Sequence, residues 1–476
     1  MKFKKAISLA LCAAMTLGCL AGCGNGEEKD VDLEEQEYPF KIEDLDGYVF
    51  TVADSNVARW FPEEGSSDIG NAIIRRVETV EKLFNCKIER IDCDTGQAAQ
   101  AAMLGTKYAD IIISPTYALA RDLLRSKALV DINKLEGLNL DAEYWQRWGD
   151  TSILKYHDMI YALGAPFACQ HDETFVMFFN KAIIEELNLE SPYDLYARDE
   201  WTISKLLEYC RAAKKDLNGD GVFDKNDRYG ITCGQEFDGP FVLYMGAGGR
   251  FLREVEDGHF EFALNTKDSF RIVNQVKEIL DPYENAWQSD GLLPPEIAEA
   301  FVNGQTLFYF YSRGRGFVDP IYDMEDDFGV VPIPKGDNAG PDEYHCWVSH
   351  DAPNMGIMAN NPDIEKTIMI TEALAYFAQE ENEIEENEYL ANKLRDDTAR
   401  EVVSNINKYA MIDYAWVQWQ LDMSGDNNGI NAMCQAMRGI CMGLTPDKQI
   451  MSSIQAIEKE VQYSIQELED VLNQRN

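Results

Sequence analysis

Basic residues are scarce in this sequence, which has 43 Lys and Arg against 83 Asp and Glu and a formal net charge of −40. A surface this acidic repels phosphate backbones and anionic lipid headgroups, so the composition excludes nucleic acid as a partner. The hydrophobic share of 45% is ample for a packed core, so the chain is not a disordered acidic segment.

Catalytic motifs are also missing from the sequence. GxSxG, HExxH, GxxxxGK[ST] and GxGxxG do not occur, and the five histidines form no recognisable spacing. No CxxC pair is present, which excludes a zinc knuckle and a thioredoxin motif. The sequence therefore predicts a protein that is not an enzyme. Because acids are abundant, a pair of carboxylates for glycan processing stays open as an alternative.

The N-terminus is typical of an exported protein. Three lysines precede the apolar run AISLALCAAMTLG, which is too short to span a bilayer, and Leu20-Ala21-Gly22-Cys23 follows. This resembles a bacterial lipoprotein signal over residues 1–22, which implies cleavage before Cys23 and acylation of that cysteine. The alternative is an ordinary secretory peptide. Residues 23–44 are acidic and low in apolar content, so they are expected to be a flexible tether at the outer face of the cytoplasmic membrane.

Eight cysteines remain beyond Cys23, and their spacing argues against disulfides within the predicted elements. Cys434 and Cys441 lie about 10 Å apart along a predicted helix, which is too far for a bond. We expect most of the eight to be buried free thiols.

The stretch DLNGDGVFDKNDRYG has the spacing of a calcium-binding loop. Oxygen ligands fall at positions 1, 3, 5, 7, 9 and 12, and glycine falls at position 6, as in an EF-hand. The predicted ligands are Asp216, Asn218, Asp220, the Val222 carbonyl, Asp224 and Asp227. We expect a structural Ca²⁺ here, and the alternative is a solvated Asp/Asn/Gly turn. A search for a second loop of this kind fails.

The order of predicted elements favours an α/β fold. YVFTVA, CKIERID and ADIIIS are predicted strands, and helices over 71–84 and around QAAQAAML separate them. ADIIIS ends in a Ser-Pro-Thr loop, and ligands in open α/β sheets bind at the carboxyl ends of strands. Further predicted elements are the helix ISKLLEYCRAA, a strand in FVNGQTLFYFYS and a long C-terminal helix.

The ordered set of segments resembles the family 1 extracellular solute-binding proteins, the maltose-binding-like receptors of ABC importers. The segments are DIIIS, YALGAPF…FFNKAIIEELNL, DEWTISKLLEYC, FVNGQTLFYFYS and DFGVVPIPKG. The resemblance implies an α/β, two-lobed periplasmic-binding-protein-like fold with crossing hinge strands and a ligand cleft between the lobes. We expect lobe 1 to comprise 45–173 and 308–351, and lobe 2 to comprise 174–307 and 352–476. The expected crossings are Asp172–Val176, Leu307–Tyr311 and His350–Pro353, and residues 379–400 are interpreted as an insertion.

Sugar sites combine flat apolar rings with planar polar groups, and residues of both kinds occur in the loops expected at the cleft. The candidate ligand-binding residues are Asp54, Arg59, Trp60, Tyr117, His171, Asp172, Phe237, Asp238, Ser312, Arg313 and Trp347. For each aromatic residue the alternative is core packing.

The function implied is that of a monomeric, lipid-anchored extracellular receptor. It would bind a small solute, with a sugar or oligosaccharide favoured over a peptide or metal, and deliver it to an ABC-transporter permease. A surface adhesin with the same anchor is the remaining alternative, although it would predict repeats, which are not found.

Overall fold

The structure is a computed structural model that describes residues 38–146, 154–156, 159–168, 173–232, 238–255, 259–287, 294–316, 321–349, 351–413, 415, 429–441, 445–446 and 449–473. Residues 41–476 group into one unit. Within it, two four-stranded sheets organise two lobes.

The first lobe is built on a sheet with strand order β13-β3-β1-β2. Its strands are β1 (Tyr48–Asp54), β2 (Cys86–Ile91), β3 (Ile111–Pro115) and β13 (Pro353–Ile357). β1 pairs in parallel with both β2 and β3, while β13 runs antiparallel to β3. The parallel pairs require crossover helices, and the helices predicted from the sequence supply them.

Helices α1 (Asp68–Phe84) and α2 (Thr95–Met103) make these crossovers. The Ser67 hydroxyl accepts a hydrogen bond from the Gly70 N–H at the start of α1, and Asn85 ends α1 in the left-handed conformation at φ 46°. Such a hydroxyl satisfies one of the unpaired N–H groups of a first helical turn. The apolar stripe of α1 is buried against the sheet, which fixes which face of the helix looks inward.

The second lobe contains a sheet of order β11-β6-β10-β7. Its strands are β6 (Phe175–Asn180), β7 (Tyr229–Thr232), β10 (Thr306–Ser312) and β11 (Phe328–Val331). β10 lies between β6, which is antiparallel to it, and β7, which is parallel. All seven residues of β10 are buried, as expected of a central strand covered on both faces.

Three two-stranded ribbons complete the described strands. They pair β4 (Leu154–Tyr156) with β5 (Met159–Ala162), β8 (Leu252–Glu254) with β9 (Phe260–Phe262), and β12 (Cys346–Trp347) with β14 (Ala410–Met411).

The remaining α-helices that the structure describes lie between and after these strands along the chain. They are α3 (Thr116–Ala118), α4 (Glu143–Gln146), α5 (Lys181–Glu186), α6 (Pro192–Ala197), α7 (Ile203–Ala213), α8 (Asp238–Gly246), α9 (Lys267–Ile279), α10 (Pro294–Val302), α11 (Arg313–Gly316), α12 (Ile364–Phe377), α13 (Gln379–Ile384), α14 (Leu390–Lys393), α15 (Asp397–Asn405), α16 (Gly429–Cys441) and α17 (Ile450–Asn473). In the described part of the chain, two segments are π-helical, at Leu119–Leu124 and Glu385–Tyr389. Single 3₁₀ turns lie at Val57–Arg59, Ile132–Lys134, Ile321–Asp323 and Ile406–Tyr409.

The strand pairing corrects the predicted lobe boundaries. Residues 308–351, predicted for lobe 1, contribute most of β10 and all of β11 to the second sheet. Residues 353–357, predicted for lobe 2, form β13 of the first sheet, and α12 and α13 pack on α1. Leu307–Tyr311 is therefore a central strand of the second sheet and not a crossing, because it pairs with neighbours on both sides.

Across the residues that the structure describes, three connections join the lobes. The first lies between β5 and β6, and the second between β12 and β13, close to the predicted Asp172–Val176 and His350–Pro353. The third runs between α13, which packs on α1, and α15, which packs on β11. The first two connections contact each other through their backbones. Thr174 and Val348 form an isolated antiparallel β-bridge, and the Ser349 N–H donates to the Glu173 carbonyl at 3.0 Å.

The described cysteines are mostly buried, as expected; they are Cys86, Cys93, Cys210, Cys346, Cys434 and Cys441. Among the residues that the structure describes, no helix combines the length and the apolar character needed to cross a membrane.

Candidate functional site

A pocket of about 540 Å³ opens at the carboxyl ends of β1 and β3, where the sequence predicted a ligand site. Its lining mixes carboxylates, amides, hydroxyls and one guanidinium with aliphatic side chains and a phenyl ring. The lining residues are Asp54, Ser55, Asn56, Ala58, Arg59, Ile69, Ile73, Ile113, Ser114, Pro115, Phe167, Glu173, Asp351, Pro353, Glu381, Asn382 and Glu385.

Asp54, the last residue of β1, organises the loop on one wall of the pocket. Its Oδ2 accepts hydrogen bonds from Arg59 Nη1 at 2.6 Å and from Trp60 Nε1 at 2.9 Å, and its Oδ1 accepts one from the Asn56 N–H at 2.9 Å. The carboxylate is only 3% exposed. The structure thus brings the predicted residues Asp54 and Arg59 together on the pocket wall.

Trp60 differs from the expectation of an open ring for stacking on a sugar. It is fully buried, and its ring packs edge-on against Phe167 with 5.6 Å between centroids. The 3₁₀ turn Val57–Arg59 directs the ring inward, where its N–H can reach Asp54. In this structure Trp60 supports the wall from behind, and Phe167 is the aromatic residue on the lining.

Arg76 holds this wall together and was not among the sequence candidates. Its Nη2 donates to the Arg59 carbonyl at 2.8 Å, its Nη1 is ion-paired with Glu381, and its guanidinium lies 5.5 Å from the Trp60 ring centroid. The sequence does contain a sign that Arg76 is buried and needs a partner, because it falls on the apolar stripe of α1 beside Val77 and Val80.

Glu381, the partner of Arg76, is a buried carboxylate that also lines the pocket. Burial raises its pKa to about 7, although the Arg76 guanidinium acts in the opposite direction. Its contact with Arg76 connects α13 to α1 and, through the Arg59 carbonyl, to the loop after β1.

The segment interpreted from the sequence as an insertion lies in the pocket. Glu381, Asn382 and Glu385 all line it, at the end of α13 and the start of the π-helical segment. The sequence analysis gave this segment no part in the ligand site, whereas α13 packs on α1 and all three side chains are buried.

Ser312 and Arg313 are both 1% exposed and sit at the end of β10. Arg313 Nη2 donates to Glu385 Oε1 at 2.8 Å, and the Arg313 N–H donates to the Thr174 carbonyl at 2.8 Å. Arg313 does not line the pocket itself but contacts Glu385, which does. Its bonds to Thr174 and Glu385 join the second sheet to the first and the third connection.

The other predicted ligand residues are distributed differently. Tyr117 is half-buried after β3 and is not among the lining residues. Trp347 is 1% exposed and stacks on Phe175 with 5.1 Å between centroids, so its ring belongs to the core. Asp238 begins α8, but its side chain lies outside the described residues, as do His171, Asp172 and Phe237.

The predicted calcium loop joins α7 to β7 in the second lobe. Asp216 accepts hydrogen bonds from the N–H groups of Gly219 at 2.6 Å and Gly221 at 2.9 Å, and the buried Asp227 accepts from Leu217 at 2.9 Å. Gly221 has a φ of +80°, a conformation for which glycine is suited.

The donor set of this loop is all oxygen, as calcium prefers. Within the described ranges, however, no three His, Cys, Asp or Glu side chains are grouped to hold a metal. The calcium site therefore stays a prediction. Cys23 and the tether up to residue 37 lie outside the described residues.

Comparisons with known proteins agree with this architecture. The sequence matches the bacterial extracellular solute-binding protein family over residues 79–384. A comparison with curated protein sequences finds no match.

Solved structures share the fold at low sequence identity. A cyclo/maltodextrin-binding protein complexed with maltotetraose has a TM-score of 0.56 at 14% identity, covering 87% of this chain and 96% of that one. The maltose-binding protein MalE of Listeria monocytogenes has a TM-score of 0.54 at 15% identity, with coverages of 88% and 99%. The GacH receptor of Streptomyces glaucescens has a TM-score of 0.53 at 13% identity, with coverages of 87% and 99%.

These neighbours are two-domain binding proteins, in agreement with the predicted two-lobed α/β fold. The family match agrees with the expected role in binding rather than catalysis. Since the family match spans more than half of the chain, the protein belongs to the bacterial extracellular solute-binding proteins.

Proposed function

We propose that this protein is a receptor for a sugar or oligosaccharide, which it binds in the pocket at the carboxyl ends of β1 and β3. The main support for this proposal is the mixture of apolar and polar side chains that line the pocket. Its volume of about 540 Å³ falls within the usual range for small-molecule sites, its lining combines apolar with polar side chains, and Asp54 and Arg59 are held in place by a hydrogen bond to each other.

The lining suits the two surfaces of a pyranose ring. Ile69, Ile73 and Phe167 offer apolar contact for the C–H face, and Asp54 and Arg59 offer an acceptor and a donor for hydroxyls. The solved relatives in fold were crystallised with maltose, with maltotetraose and with acarbose, which favours an oligosaccharide over other small solutes.

Binding would act through hinge closure. Three connections join the lobes, and the pocket borders the first two at Glu173 and Asp351 and the third at Glu385. A solute that contacts both lobes only when they are close together shifts the equilibrium towards the closed form.

The N-terminal sequence supports a lipid anchor on Cys23 and, with the family, delivery to an ABC-importer permease. More than one acyl chain gives stable anchoring, and the acidic tether 23–44 would hold the receptor near the membrane without binding its surface. We also propose calcium as a structural clip in the loop 216–227, where it would neutralise the local carboxylates.

Thermal unfolding of the mature chain with a panel of oligosaccharides tests the receptor function. A solute at one hundred times its dissociation constant adds about 2.7 kcal/mol to the free energy of unfolding, which gives a clear rise in midpoint. Arg59→Gln should reduce the rise, whereas Arg253→Gln, on an exposed residue of the β8–β9 ribbon, should leave it unchanged. A midpoint that no sugar raises would contradict the proposal.

A further inference from the structure

Three polar side chains from one short segment line the pocket: Glu381, Asn382 and Glu385. The segment passes from α13, which ends at Ile384, into the π-helical turns Glu385–Tyr389. Positions three and four apart on a helix share a face, so Glu385 lies beside both Glu381 and Asn382. π-helical turns inside helices occur often at functional sites.

The two carboxylates of this segment are held from different lobes. Glu381 is ion-paired with Arg76 on α1 of the first lobe, and Glu385 Oε1 accepts from Arg313 Nη2 at 2.8 Å at the end of β10 in the second. All four side chains are at least nine-tenths buried. The segment is thus fixed in position before any solute arrives.

Asn382 lies between these pairs and differs from both in its hydrogen bonding. It is 2% exposed, yet its Nδ2 has no hydrogen-bond partner among the groups that the structure describes. A buried amide donor without an acceptor is costly, and such groups are rare in folded proteins. Because Asn382 is on the pocket wall, an acceptor atom of a bound solute can satisfy this donor.

We infer that Asn382 is a specificity-determining residue, which donates a hydrogen bond from Nδ2 to a hydroxyl oxygen of a neutral sugar. A hydroxyl both accepts and donates, and here one amide donor lies beside the two carboxylate acceptors of Glu381 and Glu385. This inference rests on the proposed sugar-binding function. It identifies a sugar hydroxyl as the group that residues 381–385 recognise by hydrogen bonding.

The test pairs a substitution with a series of ligands. Calorimetric titration compares the wild-type mature chain with Asn382→Ala, using the best-bound sugar and its monodeoxy analogues. In the wild type one deoxy analogue should bind at least about tenfold more weakly than the parent sugar, as expected for the loss of one buried hydrogen bond. In Asn382→Ala the parent should weaken by a similar factor, and the discrimination against that analogue should disappear.

Two controls separate ligand contact from folding. Asn405→Ala, an exposed amide on α15, should bind as the wild type does. The midpoint of unfolding of Asn382→Ala without sugar should stay near that of the wild type, because its Nδ2 makes no bond to a described group. If Asn382→Ala fails to fold, Asn382→Leu keeps a similar side-chain volume, removes the donor without adding a charge beside Glu381 and Glu385, and carries the same prediction.

The possible results differ for the two proposals. Wild-type affinity in Asn382→Ala, or unchanged discrimination among the deoxy analogues, would overturn the role of Asn382 while leaving the receptor function intact. Failure of every sugar to bind the wild type would overturn the receptor function and this inference with it.

Discussion

At the scale of single residues, the site depends on buried charges that neutralise one another. Asp54 with Arg59, Glu381 with Arg76 and Glu385 with Arg313 are three such pairs around one pocket. A buried pair adds little net stability compared with apolar residues, but removing one partner leaves a buried charge without compensation. These pairs therefore fix the geometry of the site more than they stabilise the fold.

Arg75 and Arg76 on α1 allow a buried and a half-exposed ion pair to be compared directly. Arg76→Met removes the partner of buried Glu381 and should lower the free energy of unfolding by about 3–5 kcal/mol. Arg75→Met breaks the half-exposed pair with Glu380 and should cost only about 0–1 kcal/mol. Urea unfolding of both variants measures the difference.

The double variant Arg76→Met/Glu381→Met is the control for that experiment. Because it removes both charges, it should recover much of the stability lost in Arg76→Met. Equal losses in Arg76→Met and Arg75→Met would show that the buried pair does not have the role assigned to it.

His345 gives the protein a pH dependence with a definite sign. Burial lowers its pKa from 6.5 to about 4, and the neighbouring Arg250 guanidinium, with Nη2 at 3.3 Å from Nε2, acts in the same direction. In the unfolded chain this histidine takes up a proton near pH 6.5, so stability is lost as the pH falls from 6.5 to 4. At roughly 1.4 kcal/mol per pKa unit, the loss is up to about 3 kcal/mol.

His345→Gln should remove this contribution, because glutamine does not titrate and its side-chain oxygen can still accept from Arg250. Urea unfolding from pH 7 to pH 4 should show a smaller fall in stability for the variant than for the wild type. The same fall in both would contradict the assignment.

At the scale of helices and strands, local patterns predicted the elements well. β1, β2, β3, α1, α7 and α17 lie where the alternation of apolar residues or their 3.6-residue period placed them. The pairing of β10 was not predictable in this way, because a strand that is apolar on both faces does not indicate which sheet it joins. The role of Glu381 and Glu385 was missed for a related reason: these two carboxylates are buried against Arg76 and Arg313, which come from distant parts of the chain.

The loop between α7 and β7 supplies a test at this scale. Millimolar Ca²⁺ should raise the unfolding midpoint of the wild type, and Asp220→Asn should abolish most of that rise because it removes one charged ligand. Asp268→Asn, on an exposed side chain at the start of α9, changes the charge equally and should keep the rise. A rise of the same size in Asp220→Asn, or none in the wild type, would exclude the loop as a calcium site.

At the scale of the whole molecule, the two sheets and three connections explain why the pocket lies where it does. The carboxyl ends of β1 and β3 face the region where the chain passes between the lobes, so a solute there can contact residues whose positions depend on the hinge. The sequence predicted a site at this edge, where Asp54 and Arg59 line the pocket, and their contact with a solute stays a prediction. It did not predict Trp60 behind the wall or Asn382 on it, because both depend on how distant segments pack.

Reversible binding of a small sugar is measured by calorimetric titration of the mature chain with the best sugar from the thermal panel. We expect saturable binding of one sugar per chain, with the sugar recovered intact afterwards. We also expect a weaker interaction in Arg59→Gln than in Arg253→Gln. Sugar that is cleaved during the titration, or the absence of saturable binding by any sugar, would show that the protein is not a sugar receptor.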